Sequence, residues 1–371
     1  MKIGIDARVL NKGITGTGRY LSNLLQEIPK IDNKNEYFLF TTKDLTFDKN
    51  FYKIIKYESY SVPFKLYSPL WLNFIIPNLI KKLEIDIFFS PNILLPFTKN
   101  SKVKYITTIH DVIPFIYKEF YSFSYRVYLS ILLPLTLKIA DKIITVSEHS
   151  KNDISRIFKI DKGKIEVIYN TASKLFKPRI INESEFPHNF FELNLPPKYL
   201  LYVGAIEKRK NIGTILKIID TLREKGSNLQ LVIVGNYDYG YKEFVEKLDA
   251  KKEYIKVYHK VEDDILPYVY NKAFAFLFPS YYEGFGIPPL EAMQSGIPVL
   301  TSNTSSLREV VGEGGIMHAP EDYYAFVNDI IKLEKDNDFY NITRDKGLEQ
   351  SKKFNINIIT QKLVNLFNEM S

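Results

Sequence analysis

The 371-residue sequence contains no cysteine, which excludes disulfides, thiolate metal sites and a cysteine nucleophile. Its five histidines are scattered and show no metal-binding spacing such as HExxH. No apolar run approaches the roughly 20 residues that cross a bilayer, and the first residues alternate like a strand instead of forming a signal peptide. We therefore expect a cytoplasmic protein, either free or resting on the inner face of a membrane.

Charge is unevenly distributed along the chain. Residues 1–180 contain 28 Lys and Arg against 16 Asp and Glu, whereas the remainder contains 22 against 27. The basic half predicts an anionic partner, such as a phosphate or an acidic membrane surface. An AT-rich genome that favours lysine codons is the alternative explanation. Nucleic acid is not an expected partner, because no recognition motif accompanies the basic excess.

Short apolar runs alternate with helical patterns, which is typical of βαβ units and parallel sheets. The pattern is interrupted once, by a proline-rich stretch at 171–198 that resembles a linker. We therefore predict an α/β protein with two doubly wound Rossmann-like domains, 1–175 and 195–352, facing a central cleft. Residues 353–371 form a final amphipathic helix. The predicted strands are 3–6, 37–41, 85–90, 103–110, 142–147, 199–203, 229–234, 255–258, 273–278 and 298–301.

The first predicted functional loop follows the first strand and reads GITGTGR, at residues 13–19. Glycines such as Gly16 and Gly18 let backbone N–H groups approach an anion, and the start of the next helix adds partial positive charge. The spacing is GxxGxG, which differs from the dinucleotide fingerprint. A surface loop without ligand is the alternative.

The second loop ends a strand at Gly204 and places Lys208, Arg209 and Lys210 just before a predicted helix. Cations disfavour the N-terminus of a helix. This cluster therefore indicates that an anion neutralises it, and phosphate suits both Arg and Lys. The alternative is a solvated basic turn.

The third loop, within residues 278–298, reads as strand, glycine-rich loop and helix. Pro288 or Pro289 suits the first helical turn, and Gly296 suits the position just after the helix. The turn formed by Gly284, Phe285 and Gly286 is expected to offer backbone N–H groups to an anion.

Two carboxylates accompany that loop. Glu283 precedes the helix and Glu291 follows eight residues later, so both are predicted to face one cleft. Carboxylates accept hydrogen bonds from hydroxyls, which favours a sugar or ribose as partner. The alternative makes Glu283 a turn residue and Glu291 a helix N-terminal charge.

Two further segments carry candidate residues. His110 ends a first-domain strand, where it is expected either to bind a substrate hydroxyl or phosphate or to be structural, and Asp111 is expected to cap the next turn. Residues 67–77 join aromatics, including Trp71, to Lys81 and Lys82. This segment predicts either an interfacial membrane contact or lipid-acceptor groove, or a buried helix.

The run EGFGIPPLEAM, which contains Glu283 and Glu291, resembles the E-x7-E motif of the retaining glycosyltransferases of family four, which have the GT-B fold. The resemblance covers nearly the whole chain, and the nearest subgroup is that of bacterial mannosyltransferases of surface polysaccharide synthesis. The other landmarks are Gly16 to Tyr20, His110 with Asp111, Val146 to Glu148, Val203 with Gly204, Arg209 to Asn211, Val234 with Gly235, Ser302 with Asn303, and Glu309 with Val310.

The resemblance implies a catalytic site made of His110 and Glu283, which contact the transferred sugar, and a donor site that binds the nucleotide. The implied donor-site roles are diphosphate binding by Arg209 and Lys210, ribose binding by Glu291, backbone donation by Gly284, Phe285 and Gly286, and closure over the diphosphate by Gly16 and Gly18.

The resemblance also implies the reaction: retaining, metal-independent transfer of a hexose, best matched by mannose from GDP-mannose, with a UDP-sugar as the alternative donor. No cofactor is implied besides this nucleotide-sugar substrate. The acceptor domain is 1–175, the donor domain is 195–352, and 353–371 crosses back to the first domain. The expected acceptor is a glycan or a lipid-diphosphate-linked glycan, and peripheral membrane contact is expected through the basic half. A GT-B nucleotide-sugar epimerase and a catalytically idle binding subunit remain alternatives.

Overall fold

The computed structural model describes residues 1–12, 16–56, 70–179, 186–238 and 242–370. The chain divides into two compact units. The first unit comprises Met1–Lys118, Ser122–Thr171 and Phe354–Ser371, and the second comprises Glu119–Tyr121 and Ala172–Lys353. The proline-rich residues 172–179 and 186–198 therefore belong to the second unit.

The first unit is built on a parallel sheet with the order β3-β2-β1-β4-β5-β6-β7. Its central strands are buried along nearly their whole length, which explains their continuous apolar sequence. The chain leaves β1 toward β2 on one side and returns at β4 on the other, which makes the β1–β4 boundary a topological switch point. The strands are β1 (Lys2–Asp6), β2 (Glu36–Thr41), β3 (Tyr52–Lys56), β4 (Ile87–Ser90), β5 (Lys104–Thr108), β6 (Lys142–Thr145) and β7 (Ile165–Val167).

The second unit repeats this plan in a parallel sheet with the order β10-β9-β8-β11-β12-β13. Its switch point lies between β8 and β11, so the loops after these two strands share the region where open α/β sheets bind ligands. The strands are β8 (Tyr199–Val203), β9 (Gln230–Val234), β10 (Ile255–Tyr258), β11 (Ala275–Phe278), β12 (Val299–Ser302) and β13 (Ile316–His318). Two parallel-sheet Rossmann-like units confirm the predicted α/β class.

Helices cover these sheets, and several begin at side-chain caps, such as Ser147, whose hydroxyl accepts from the backbone N–H of Ser150. The helices are α1 (Gly16–Ile31), α2 (Ile76–Leu83), α3 (Ile113–Ile116), α4 (Phe123–Ile139), α5 (Glu148–Phe158), α6 (His188–Phe191), α7 (Ile212–Glu224), α8 (Lys242–Asp249), α9 (Leu266–Lys272), α10 (Ile287–Gln294), α11 (Leu307–Val310), α12 (Tyr323–Lys335), α13 (Asn337–Ser351) and α14 (Ile356–Glu369). Among the described residues, no helix combines the length and apolarity needed to cross a membrane.

The last helix, α14, packs in the first unit. The ring of Phe367 lies 5.7 Å from that of Phe89 on β4, and Lys362 donates to the carbonyl of Val167 at 2.8 Å. Its buried residues, which include Ile359 and Leu363, recur at helical spacing and form one apolar face. The final segment of the chain is thereby part of the same core as its beginning.

Candidate active site

An ion pair between Lys210 and Glu283 occupies the switch point of the second unit. Lys210 ends a short 3-10 turn (Lys208–Lys210) after β8, and Glu283 lies in the loop after β11. The Lys210 ammonium donates to Glu283 Oε1 at 2.6 Å, and each residue is only 8% exposed. The sequence predicted both loops, and the fold brings these two side chains together.

Arg209 completes this charged cluster. Its Nη1 lies 3.2 Å from Glu283 Oε2 and donates to the carbonyl of Tyr282 at 2.8 Å. Its Nη2 donates to Glu207 Oε1 at 2.5 Å. The basic turn predicted an anion that neutralises it, and the carboxylates of Glu207 and Glu283 take that role in this structure.

Burial and charge shift the pKa values of the cluster in different directions. Burial by itself raises the pKa of Glu283, but the Lys210 ammonium and the Arg209 guanidinium outweigh it and hold the pKa below its usual value. Burial and the adjacent Arg209 lower the pKa of Lys210. Burial raises the pKa of Glu207 above its usual value. Glu283 is therefore the carboxylate that the cluster keeps firmly ionised.

Serine side chains fix the loop that carries Glu283. The Ser280 hydroxyl donates to Glu283 Oε1 at 2.6 Å, and the Glu283 backbone N–H donates to Ser305 Oγ at 2.9 Å. The Ser306 hydroxyl contacts the carbonyls of Glu283 and Phe285 at 2.8 and 2.7 Å. Ser305 and Ser306 were not predicted from the sequence, because they approach the loop from beyond β12.

Helix α10 begins directly after this loop. Gly286 is its N-cap residue with φ of 112°, a conformation that favours glycine. A Cβ at this position would also lie 2.9 Å from Leu307 Cδ2. Pro288 lies in the first turn, and Gly296 follows the helix with φ of 74°, both as predicted. The positive N-terminal end of the α10 dipole therefore lies at the loop that carries Glu283.

Glu291 lies deeper, within α10 itself. It is 1% exposed, and its Oε2 accepts a hydrogen bond from the buried Tyr270 hydroxyl at 2.9 Å. The tyrosine thereby contributes to fixing the orientation of the carboxylate. The sequence contained no signal for this partner, which comes from α9.

In the first unit, His110 follows β5. Its Nε2 lies 3.0 Å from the carbonyl of Pro91, and because a carbonyl only accepts, Nε2 carries the proton. The His110 ring packs against the Tyr20 ring in a T-shaped arrangement, with the ring centroids 5.2 Å apart. Burial lowers the pKa of His110, so the ring is neutral with Nδ1 as an acceptor. Asp111 accepts from the backbone N–H of Ile113 at 3.1 Å, as the capping prediction stated.

The glycine-rich loop of the first unit is described only in part. Helix α1 begins at Gly16, which is exposed, and Gly18 is buried in its first turn. Residues 13–15 of the predicted loop lie outside the described residues. Before that loop, Arg8 donates to Asp6 from Nε at 2.9 Å and from Nη2 at 2.7 Å. No local sequence motif predicts this pairing of Arg8 with Asp6 after β1.

Trp71 of the segment 67–77 is fully buried, and the Arg8 guanidinium lies 4.9 Å from its ring. The buried-helix interpretation of this segment is therefore right for Trp71, whereas Phe74 is 64% exposed. Residues 67–69 of the segment lie outside the described residues.

Among the described residues, there is no group of three or more His, Asp or Glu side chains that could hold a metal ion. The charge that balances Glu207 and Glu283 comes from Arg209 and Lys210.

Two parallel-sheet Rossmann-like domains, with a cationic pair and ordered carboxylates at a switch point of the second, define a two-domain α/β protein with a charged candidate site. The family model "Glycosyl transferases group 1" matches residues 184–350, and "Glycosyltransferase Family 4" matches residues 14–172. The O-antigen chain mannosyltransferase B of Escherichia coli is 32% identical over 76% of this chain and 74% of its own. The O-antigen chain mannosyltransferase RfbU of Salmonella typhimurium strain LT2 is 32% identical over 65% of this chain and 63% of its own.

Solved structures agree on the fold. Sucrose-phosphate synthase from Thermosynechococcus elongatus superposes with a TM-score of 0.78 at 20% identity, covering 100% of this chain and 99% of that one. HepE of Anabaena in complex with UDP-glucose gives a TM-score of 0.74 at 16% identity, covering 100% of both chains. The chain belongs to the glycosyltransferases of family four, has the GT-B fold and is a glycosyltransferase.

Proposed function

We propose that this glycosyltransferase moves mannose from GDP-mannose to a glycan or lipid-diphosphate-linked glycan, with retention of anomeric configuration and without a metal ion. The mannosyltransferase names of the two relatives that share 32% identity support this sugar. A UDP-sugar is the alternative donor. The structure of HepE in complex with UDP-glucose supports this alternative. The product belongs to surface polysaccharide synthesis.

The observation that carries this proposal is the cluster of Arg209, Lys210 and Glu283. A diphosphate that binds at the switch point brings its own negative charge to the two cations, which Glu283 and Glu207 neutralise in this structure. The cations then stabilise the charge that develops on the departing diphosphate. Because Lys210 is buried, little solvent screening weakens this interaction.

The carboxylates take the hydroxyl-binding roles in this proposal. Glu283 stays ionised because of Lys210 and Arg209, so it accepts hydrogen bonds from hydroxyls of the transferred sugar. Glu291, oriented by Tyr270, accepts from the ribose. The backbone of Gly284, Phe285 and Gly286 contributes N–H groups at the start of α10.

The first unit contributes His110, Gly16 and Gly18 in this proposal. The neutral His110 ring, held through Nε2 by Pro91, presents Nδ1 as an acceptor for a sugar hydroxyl. Gly16 and Gly18, at the start of α1, are assigned closure over the donor diphosphate in this proposal. In this proposal the first domain binds the acceptor and the second domain binds the donor. The protein lies peripherally on the membrane that holds the lipid-linked acceptor.

The test is calorimetric titration of the full chain with GDP and with UDP, each with and without EDTA. We expect one nucleotide to bind saturably, EDTA to leave the affinity unchanged, and Lys210→Ala to weaken binding by about tenfold through one lost charged contact. Lys251→Ala is the matched control, since it removes a lysine of the same unit that pairs with Asp220 at 2.8 Å.

Four outcomes would contradict parts of the proposal. Binding of neither nucleotide favours an idle binding subunit. Binding that EDTA abolishes contradicts metal independence. With donor and acceptor supplied, nuclear magnetic resonance of the product gives its anomeric configuration, and inversion contradicts retention. Conversion of the nucleotide-sugar without any acceptor would instead favour an epimerase.

A further inference from the structure

Glu207 is a buried carboxylate of the charged cluster, and the reaction proposed above gives it no role. It is the N-cap residue of the short turn Lys208–Lys210 and is 7% exposed. Its Oε1 accepts a hydrogen bond from Arg209 Nη2 at 2.5 Å. The Arg209 guanidinium is therefore neutralised on one side by Glu207 and on the other by Glu283, whose Oε2 lies 3.2 Å from Nη1.

The charges of these side chains balance before a donor arrives. Two cations, Arg209 and Lys210, face two carboxylates, Glu207 and Glu283. A nucleotide-sugar adds one negative charge on each of its phosphates, and neither phosphate titrates near neutral pH. Burying those charges beside two carboxylates without compensation is unfavourable, and a buried ionisable group changes its protonation state instead. Binding of the donor at this cluster therefore favours uptake of a proton.

The contacts of the two carboxylates indicate which of them takes the proton. Glu283 contacts both Lys210 and Arg209 and also accepts a hydrogen bond from the Ser280 hydroxyl at 2.6 Å. These donors hold the pKa of Glu283 below its usual value. Glu207 contacts Arg209, and burial raises the pKa of Glu207 above its usual value despite the opposing effects of Arg209 and Lys210. Glu207 is therefore the easier of the two carboxylates to protonate.

We propose that Glu207 takes up one proton when the donor diphosphate binds and thereby leaves the positive charge of Arg209 to the phosphates. The proton comes from solvent and forms an O–H bond on the Glu207 carboxyl, while no other covalent bond changes. The carbonyl oxygen of the neutral side chain still accepts a hydrogen bond from Arg209. The inference rests on the proposed function, because it requires that a nucleotide-sugar binds at this cluster.

Other groups around Glu207 act in the same direction or do not titrate. The charged and titratable groups that influence it, or that it influences, are Arg209 and Lys210 of its own turn, Glu283 after β11, Asp238 after β9 and Tyr202 at the end of β8. The negative charges of Glu283 and Asp238 raise the pKa of Glu207 further. Burial raises the pKa of Tyr202 well above its usual value, so that hydroxyl stays neutral.

The test is calorimetric titration of the full chain with GDP-mannose and with UDP-glucose in two buffers of different ionisation enthalpy. The dependence of the observed binding enthalpy on the buffer gives the number of protons taken up. Intact nucleotide-sugars are used because the terminal phosphate of GDP or UDP itself titrates near neutral pH. We expect uptake that approaches one proton at a pH between the pKa values of Glu207 in the free and the bound protein.

Glu207→Gln assigns the proton to this side chain. The amide has the shape of the protonated carboxyl, accepts from Arg209 and does not titrate, so the variant should bind the donor without proton uptake. The matched control is Glu334→Gln. Glu334 is also a partly buried carboxylate paired with a lysine, Lys198 at 2.9 Å. Lys198 precedes β8 whereas Glu207 follows it, so this pair lies at the opposite end of the strand. The control should retain the uptake of the unmodified chain.

The affinity should depend on pH in the same way. Because the complex favours protonated Glu207, the affinity of the unmodified chain should be highest below the pKa of Glu207 in the free protein. It should then fall as the pH rises toward the higher pKa in the complex. At about pH 8, Glu207→Gln should bind the donor about tenfold more tightly than the unmodified chain, since one buried negative charge fewer faces the phosphates. This difference should shrink as the pH falls.

The outcomes separate this inference from the proposed function. Donor binding without proton uptake, or with the same uptake in Glu207→Gln, overturns the inference and leaves the proposed function standing. In the second case the proton goes to another group, such as Lys210, whose pKa is lowered by burial. If neither nucleotide-sugar binds to the unmodified chain, the proposed function fails and the inference fails with it.

Discussion

The ammonium of Lys210 and the carboxylate of Glu283 lie 2.6 Å apart although 73 residues separate them in sequence. Each is delivered by the loop after a different strand, β8 or β11, and these strands are neighbours in the sheet. Both charges are buried, so each depends on the other for compensation. The donor-site chemistry that we propose requires this pair to be assembled before substrate arrives.

Removing either member of the pair should impair the reaction. Lys210→Ala and Glu283→Ala should each lower turnover at least about tenfold, because each removes one charged contact from the transition state. Initial-rate measurements with saturating donor and acceptor would determine this loss. Near-normal turnover in both variants would contradict the assigned roles.

Folding must be separated from chemistry in that experiment. Lys210→Met and Glu283→Gln should each lower the free energy of unfolding by about 3 kcal/mol, since each removes one charged partner from a buried cluster that also contains Arg209 and Glu207. The double variant should lose less than the sum of the two, because it leaves neither charge. Chemical denaturation of all four proteins measures this coupling, and simple additivity would show that the pair contributes none.

Gly286→Ala should destabilise the second unit by about 1–3 kcal/mol, because φ of 112° strains any other residue. The new Cβ would also press on Leu307. The control is Gly213→Ala in α7, where a Cβ meets nothing within 4 Å and alanine favours the helix. In thermal unfolding, the melting temperature of Gly286→Ala should be lower than that of Gly213→Ala. An equal effect of both substitutions would remove the argument from backbone conformation.

His110 should make stability depend on pH. Burial lowers its pKa below the ordinary value of 6.5, against the opposing effects of Pro91 and Asp111. Above pH 6.5 both the folded and the unfolded ring are neutral. As the pH falls below 6.5 the unfolded chain gains the proton first, so stability is lost progressively toward the lower folded pKa.

The corresponding measurement compares melting temperatures at pH 7.5 and 5.5. His110→Gln keeps a donor for the Pro91 carbonyl and does not titrate, so its melting temperature should fall less than that of the unmodified protein. His259→Gln, at an exposed position, should leave the fall unchanged. If His110→Gln and the unmodified protein lose the same number of degrees, burial of the neutral ring is not the cause.

Tyr270→Phe should test the ribose role of Glu291. Loss of the hydroxyl leaves the buried Glu291 carboxylate with one hydrogen-bond donor fewer. We expect this to lower the free energy of unfolding by about 1–3 kcal/mol. It should also reduce the preference for GDP or UDP over the 2′-deoxy analogue in calorimetric titrations. Tyr199→Phe removes a similarly buried hydroxyl, which donates to the Val269 carbonyl at 2.7 Å. That control should lose stability and keep its preference, and the same loss of preference in it would exclude a specific role for Tyr270.

The fold was predictable where burial leaves a strong pattern. The strand at 199–203 was predicted with its observed bounds, because β8 is buried on both faces and is continuously apolar. The strands β3, β7 and β13 were missed. Each lies at an edge of its sheet. Only the first residue of β3 is buried, and β7 and β13 have three residues each. Their sequences therefore carry little signal.

The candidate site was predictable in its residues and not in its contacts. Glycines, prolines and carboxylates at fixed spacing around α10 revealed the loop, since its backbone geometry requires those residue types. Ser305 and Ser306, which hold the Glu283 loop, and Tyr270, which orients Glu291, come from other elements. Neither kind of partner has a local sequence signature.

By itself the sequence determined the α/β class, the two-domain plan, the family and the loops that carry chemistry, because these depend on periodicity and on residue types at short spacing. Only the tertiary structure decided which carboxylates pair with which cations. It placed Glu207 and Glu283 against the basic turn and fixed the His110 proton on Nε2 through Pro91. Those outcomes depend on contacts between residues far apart in the chain, which a local pattern does not encode.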